Sequence, residues 1–189
     1  MKTVLIVGIG NIGSRLYREY EKLSPDRHDP FKGFNEKRDI HYDFAFIAVD
    51  TPMLPDGSCD LSAVRQAIDE TDAGIYILRS TVPPGTTEKL RVETGKRIVF
   101  SPEFYGATQH SDNSSFDFSF TILGGEKADC NAVIQLLQEV YDARHRFRIT
   151  DSTPRSATIM ASTPALTASL MNFGNSANSL FRGSVLTVR

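Results

Sequence analysis

Thr3-Val4-Leu5-Ile6-Val7-Gly8-Ile9-Gly10-Asn11-Ile12-Gly13 is the stretch that decides the fold. Its first five residues are β-branched or apolar with no polar alternation, the pattern of a parallel strand buried on both faces. The run enters three glycines, and residues 14–23 then read as a helix with Leu16, Tyr20 and Leu23 on one face and charges on the other. Strand, G-x-G-x-x-G and helix in that order form a dinucleotide-binding fingerprint. Gly8 is expected to make the tight turn, Gly10 to let a pyrophosphate approach the backbone, and Gly13 to let helix and strand pack closely. The anion would lie on the helix N-terminus, where unpaired N–H groups and the dipole favour negative charge. Gly8, Gly10, Asn11, Ile12 and Gly13 are therefore the first candidate cofactor contacts.

The chain has 189 residues, 40% of them hydrophobic, enough for one full domain and part of a second. A net charge of −2 gives no basic surface for nucleic acid or an anionic membrane. No apolar run approaches the roughly 20 residues that cross a bilayer, and the N-terminus reads as a strand rather than a signal peptide. Cys59 and Cys130 lie far apart without metal-ligand or CxxC spacing, so no metal site is expected and both read as free thiols of a cytoplasmic protein.

Pro25-Asp26-Arg27-His28-Asp29-Pro30 is polar and turn-rich, so the second strand must be short. Asp29 follows Gly13 by sixteen residues, close to the spacing of an acid that ends the second strand. There a carboxylate accepts hydrogen bonds from the adenosine ribose hydroxyls and repels a 2′-phosphate, which favours NAD over NADP. The plainer alternative is a solvated turn aspartate. Lys32 and Lys37 follow within reach of the cofactor's phosphates, again with solvated loop lysines as the alternative.

Phe44-Ala45-Phe46-Ile47-Ala48-Val49 is the next buried strand; its C-terminal end brings Val49, Thr51 and Pro52 beside the cofactor. Asp60 is a candidate N-cap for a helix whose apolar stripe is Leu61, Val64, Ala67 and Ile68. Gly74-Ile75-Tyr76-Ile77-Leu78 leads into Arg79-Ser80-Thr81-Val82-Pro83-Pro84-Gly85-Thr86-Thr87, where Pro and Gly break the strand and a helix carrying Leu90 begins. Strands are expected over 97–100, 118–123 and 146–150, a loop over 105–117 and a helix over 128–142. Strands alternating with helices define a doubly wound, Rossmann-type α/β domain with a mostly parallel sheet over residues 1–150. Residues 151–189 form a tail of another kind, lacking Glu and Lys throughout and Asp after Asp151. A short helix over 165–180 is weakened by Pro164 and Gly174, and without charge pairs it would need a partner surface. Self-association into a homodimer through this tail is the expectation.

Several motifs together resemble the UDP-glucose/GDP-mannose dehydrogenase family. They are Phe46-Ile47-Ala48-Val49-Asp50-Thr51-Pro52, Asp56-Gly57-Ser58-Cys59-Asp60-Leu61-Ser62, Arg79 to Thr87 as quoted, Ser101-Pro102-Glu103-Phe104, and Gly124-Gly125-Glu126. Within the family, UDP-glucose 6-dehydrogenases are the nearest resemblance. It implies an NAD-dependent oxidoreductase that oxidises a nucleotide sugar's C6 alcohol to a carboxylate, with a connector helix and a later sugar-binding domain. Carried over by motif, Ser80 and Thr81 border the cofactor, Thr81 helps position a catalytic water, and Glu103 acts as base or electrostatic partner near the reacting sugar. For Thr81 the alternative is a turn threonine bonding its own backbone, and for Glu103 a capping or salt-bridged carboxylate.

The departures are equally specific. Ala107 stands where the family has a second glutamate, and alanines 157 and 161 fall where a Lys-x-x-x-Asn pair is expected, when Met171-Asn172-Phe173 is matched to the family's Asn-Glu-Phe stretch. No cysteine follows Cys130, so the family's nucleophile and sugar-binding domain have no counterpart here. The reading is an NAD-dependent UDP-glucose 6-dehydrogenase homologue, truncated after its NAD-binding domain, with a UDP-sugar as its substrate if active. The alternatives are a non-catalytic NAD-binding or interaction module and a fragment of a longer dehydrogenase.

Overall fold

A computed structural model describes residues 2–102 and 120–150. Glu103, the loop expected over 105–117, residues 118 and 119, and the tail 151–189 with its helix lie outside the described residues. The elements in chain order are β1 (Val4–Val7), α1 (Asn11–Glu19), β2 (Asp26–Asp29), β3 (Phe34–Asn35), β4 (Tyr42–Ile47), α2 (Ser62–Asp69), β5 (Ala73–Leu78), α3 (Thr86–Thr94), β6 (Ile98–Phe100), β7 (Phe120–Gly124), α4 (Lys127–Leu137) and β8 (Arg146–Thr150). Single 3₁₀ turns occupy Glu21–Leu23 and Pro30–Lys32.

The described strands form one sheet in the order β3-β2-β1-β4-β5-β6-β7-β8. Strands β2, β1, β4, β5 and β6 run parallel; β3 is antiparallel to β2, and β7 to β6. From β1 the chain first builds outward to β2 and then returns to the other flank of β1 with β4. The strand order therefore reverses between β1 and β4, which opens a crevice beyond their C-terminal ends.

Alternation along the strands divides the core between two layers. Val4, Ile6, Phe44, Phe46, Ile75, Ile77, Val99 and Leu123 pack with Leu16 and Tyr20 of α1 and with Cys130, Val133 and Leu137 of α4. Leu5, Val7, Ala45, Ile47, Tyr76, Leu78 and Ile122 pack with Val64 and Ile68 of α2 and Leu90 of α3. Because both faces are covered, the central strands carry no exposed polar side and read as continuous apolar runs.

Strand β2 shows how a polar sequence holds a place in such a sheet. Leu5 to Val7 pair with Asp26 to His28, while its side chains are satisfied laterally. Arg27 lies over the Tyr17 and Phe34 rings, 4.3 and 4.7 Å from their centroids, and donates through Nε to Glu36 at 2.9 Å. Asp26 accepts from Arg38 and from the Tyr42 hydroxyl, each at 2.7 Å. Helix α1 spans Asn11–Glu19 rather than the expected 14–23, with Tyr20 as its C-cap and Leu23 in the following 3₁₀ turn. Glu19 is buried rather than on the charged face, and its carboxylate accepts from the Tyr141 hydroxyl. Helix α2 begins at Ser62 with Leu61 in the cap position, and Asp60 acts one residue earlier by accepting the Ser62 N–H at 2.9 Å. Helix α4 stops at Leu137, yet Val140 and Tyr141 beyond it remain buried.

Candidate functional site

The turn after β1 is shaped by contacts that leave no room for side chains. Gly8 has φ +87°, and a Cβ there would lie 2.7 Å from the Ala48 carbonyl oxygen. A Cβ on Gly13 would lie 1.8 Å from the Gly8 carbonyl oxygen, so α1 can approach β1 only through glycine. Gly10 is the contrasting case, because a Cβ there would meet only the Lys32 ammonium, at 3.7 Å. It is the N-cap of α1, which has no side-chain cap and no acid in its first turn. Exposed Asn11 and half-buried Ile12 open the helix, so its positive end lies at the crevice without an acid of its own first turn.

The two polar backbone groups of Ile9 are held by the loop that follows β2. Asp29 Oδ2 accepts the Ile9 N–H at 2.8 Å, and Lys32 Nζ donates to the Ile9 carbonyl at 3.1 Å. Asp29 Oδ1 has no hydrogen bond among the described residues. Sequence spacing thus brings Asp29 and Lys32 to the glycine turn itself.

A cleft of about 380 Å³ opens here, bounded by Gly8, Gly10, Asp29, Lys32 and Val49 among others. Its outer wall contains residues that spacing did not single out: His28, Phe31, Asp50, and Ala63, Gln66, Ala67 and Glu70 of α2. Phe31 is 99% exposed on its 3₁₀ turn. The available signal was an isolated aromatic between Pro30 and Lys32 in an otherwise polar stretch, and alanines spaced i, i+4 on α2 that leave a shallow wall. Burial, with Lys37 nearby, holds the His28 pKa below its ordinary value.

At the ends of β4 and β5 the candidate residues bond to one another. Thr51 Oγ1 donates to the Thr81 carbonyl at 2.7 Å, and Ser80 Oγ to the Val49 carbonyl at 2.7 Å. The Pro52 carbonyl accepts from the Asp60 N–H at 2.8 Å. Buried Arg79 donates to Ser101 Oγ at 2.7 Å. Cys59 is half-buried with its thiol against the Thr51 and Thr81 carbonyls at 3.8 and 3.9 Å, whereas burial pushes the Cys130 thiol up to about 12. Thr81 is exposed, and Glu103 lies outside the described residues. Among the described residues no cluster of His, Cys, Asp and Glu could hold a metal ion, and no helix is long and apolar enough to cross a membrane.

The family model for the UDP-glucose/GDP-mannose dehydrogenase family, NAD binding domain, matches residues 31–145. A protein of Methanocaldococcus jannaschii, uncharacterized protein MJ1054, is 29% identical over 112 residues, covering 52% of this chain and 12% of that protein. The structure of a UDP-glucose dehydrogenase from Pyrobaculum islandicum superposes with a TM-score of 0.61 at 20% identity, over 85% of this chain and 48% of that one. A ternary complex of GDP-mannose dehydrogenase from Pseudomonas aeruginosa gives 0.60 at 17% identity, over 90% and 50%. The chain thus spans about half the length of the solved structures it matches. The match begins after the glycine turn, so the geometry of residues 8–13 is an independent observation. An uncapped helix end, an uncrowded Gly10 and an acid with one oxygen left over fit a dinucleotide's pyrophosphate and ribose. By its sequence match and its fold, this chain belongs to the UDP-glucose/GDP-mannose dehydrogenase family and carries that family's NAD-binding domain.

Proposed function

We propose that this chain holds NAD in the crevice between β1 and β4 and serves as the cofactor half of a nucleotide-sugar dehydrogenase acting on a UDP-sugar. The observation that carries the reading is the glycine turn, with Ile9 fixed from both sides by Asp29 and Lys32. Gly10 and the N–H groups of Asn11, Ile12 and Gly13 receive the pyrophosphate, and Gly8 and Gly13 set the turn. Asp29 Oδ1 accepts from the adenosine ribose, and Lys32 adds positive charge beside the phosphates. Val49, Thr51, Pro52, Ser80 and Thr81 border the other half of the cofactor, and Thr81 and Glu103 serve the reacting sugar. Bound there, NAD supplies the hydride acceptor for oxidation of the C6 alcohol. UDP-glucose is the first substrate to assay. The two free thiols support a cytoplasmic setting, and a tail without Glu or Lys supports a homodimer, which size-exclusion chromatography reads directly; elution as a monomer would count against it.

Calorimetric titration with NAD and NADP tests the cofactor reading. NAD should bind saturably and NADP more weakly. Asp29→Ala removes acceptors for both the ribose and the Ile9 N–H, so NAD affinity should fall about 10- to 100-fold. Absence of binding to either nucleotide would sink the proposal. Saturable NAD binding leads to the next assay, NADH formation with UDP-glucose.

A further inference from the structure

We propose that the outer wall of the cleft reads the base: His28 and Glu70 select adenine, with Phe31 stacking on it. This rests on NAD binding in the crevice and adds the determinant of base specificity.

His28 ends the β1–β2 pairing opposite Val7 and lines the cleft. Its Nδ1 is buried and has no hydrogen-bond partner among the described residues. A neutral imidazole carries one proton, and placing it on Nδ1 would bury a donor without an acceptor. The proton therefore sits on Nε2, the ring nitrogen not enclosed, and a second proton is disfavoured for the same reason. The low His28 pKa, caused first by burial, agrees with a neutral ring. His28 thus offers the cleft a single N–H donor.

The same wall also carries an acceptor. Gln66 on α2 and Glu70, its C-cap, lie one helical turn apart, and the Gln66 amide donates to Glu70 Oε1 at 2.8 Å. That bond orients the carboxylate, Oε2 has no hydrogen bond among the described residues, and the Glu70 charge acts on His28. A donor and an acceptor lining one cleft suit adenine, whose N6 amino group donates beside ring nitrogens that accept. Hypoxanthine reverses the pattern. Its 6-carbonyl would meet the Glu70 carboxylate, acceptor against acceptor, and its N1 carries a proton. Phe31 adds a face rather than an edge. An aromatic 99% exposed on the cleft rim gains cover from any purine stacked on it.

The experiment titrates the purified chain with NAD and with nicotinamide hypoxanthine dinucleotide, which differ only at the base edge. NAD should bind about tenfold or more tightly, within the range of a two-point base contact. Glu70→Gln can turn an amide N–H toward the 6-carbonyl, so the two affinities should come within about threefold. His28→Leu should weaken NAD, while His28→Asn, which keeps an N–H donor, should recover part of the loss. Phe31→Ala should weaken both dinucleotides by a common factor. Thermal melts of each variant separate lost recognition from lost folding. Equal affinities in the unmutated chain, or an unchanged ratio in Glu70→Gln, would overturn base reading and leave the cofactor site standing. Failure of NAD itself to bind would overturn both.

Discussion

On the β1–β2 side of the crevice, Gly8, Ile9, Gly10, Asp29 and Lys32 hold one another through backbone contacts and still leave an open cleft of about 380 Å³ beside an uncapped helix end. On the β4–β5 side, Thr51 and Ser80 spend their hydroxyls on the Thr81 and Val49 carbonyls, and Arg79 is buried against Ser101. The first half is an open cleft whose shape is fixed by what glycine omits. The second is a self-satisfied rim, and Glu103, expected to work beside it, lies beyond the described residues. On the function proposed above, this division is physically sensible. The adenosine half only has to bind, whereas the reacting half must also meet a second substrate.

The largest effect that tests this contrast separates two glycines three residues apart. Gly13→Ala drives a methyl to 1.8 Å from a backbone oxygen, and neither α1 nor β1 can yield without unpacking the core. It should cost about 3 kcal/mol or more in urea unfolding, with NAD binding lost alongside. Gly10→Ala meets only the end of a flexible lysine and has φ −80°, which alanine adopts freely. Its stability should change by less than about 1 kcal/mol, while NAD affinity falls at least about tenfold because the methyl occupies the anion's approach. Equal stability losses in the two variants would show that Gly10 is structural and break the distinction.

The same contrast explains what the sequence disclosed. β1, β4 and β5 are covered on both sides, so burial writes itself as apolar runs, and the glycine turn is legible because steric exclusion admits one residue type. β2 and β3 escape that logic. Their stability comes from Arg27 between two rings and from Asp26 bonded to Arg38 and Tyr42, pairings without a period. Asp29 could be found by spacing, since the βαβ unit fixes the distance between turn and acid. Phe31 and Glu70 could not, because they share a wall only once β2 and α2 have been brought to opposite sides of the switch point. Glu19 was misplaced for a related reason: its partner, Tyr141, comes from the far end of the chain.

An intermediate effect concerns which part of NAD carries the affinity. If the adenosine half is preformed, ADP-ribose should bind within about fivefold of NAD, and nicotinamide mononucleotide should show no saturation below millimolar concentrations. Thr51→Val removes the bond to the Thr81 carbonyl and should cost about 1 kcal/mol of stability, yet leave ADP-ribose affinity unchanged. Competition calorimetry reads both. Binding of NAD a hundredfold tighter than ADP-ribose would mean that the β4–β5 rim contributes as much as the cleft.

The smallest effect is a pH dependence that arises at both ends of the sheet. His28 lines the cleft, while His145 stacks on Tyr141 with ring centroids 3.9 Å apart and bonds Thr121 Oγ1 through Nε2 at 2.8 Å. Burial lowers both pKa values below the ordinary 6.5. As pH falls, the unfolded chain therefore takes up these protons before the folded one does. Stability is complete above pH 6.5 and declines as pH drops toward the folded-state values. Carboxylates held low by their partners, Glu36 and Asp142 among them, begin to protonate only in a more acid range. The melting temperature should accordingly fall by a few degrees between about pH 7 and pH 5. His145→Phe keeps the ring stack and removes the titration, so it should flatten part of the slope even though the Thr121 contact is lost. The part that His28 contributes should be removed in the double variant with His28→Asn. A melting temperature already flat over this interval, or a slope indifferent to both substitutions, would mean that neither imidazole is held neutral by the fold.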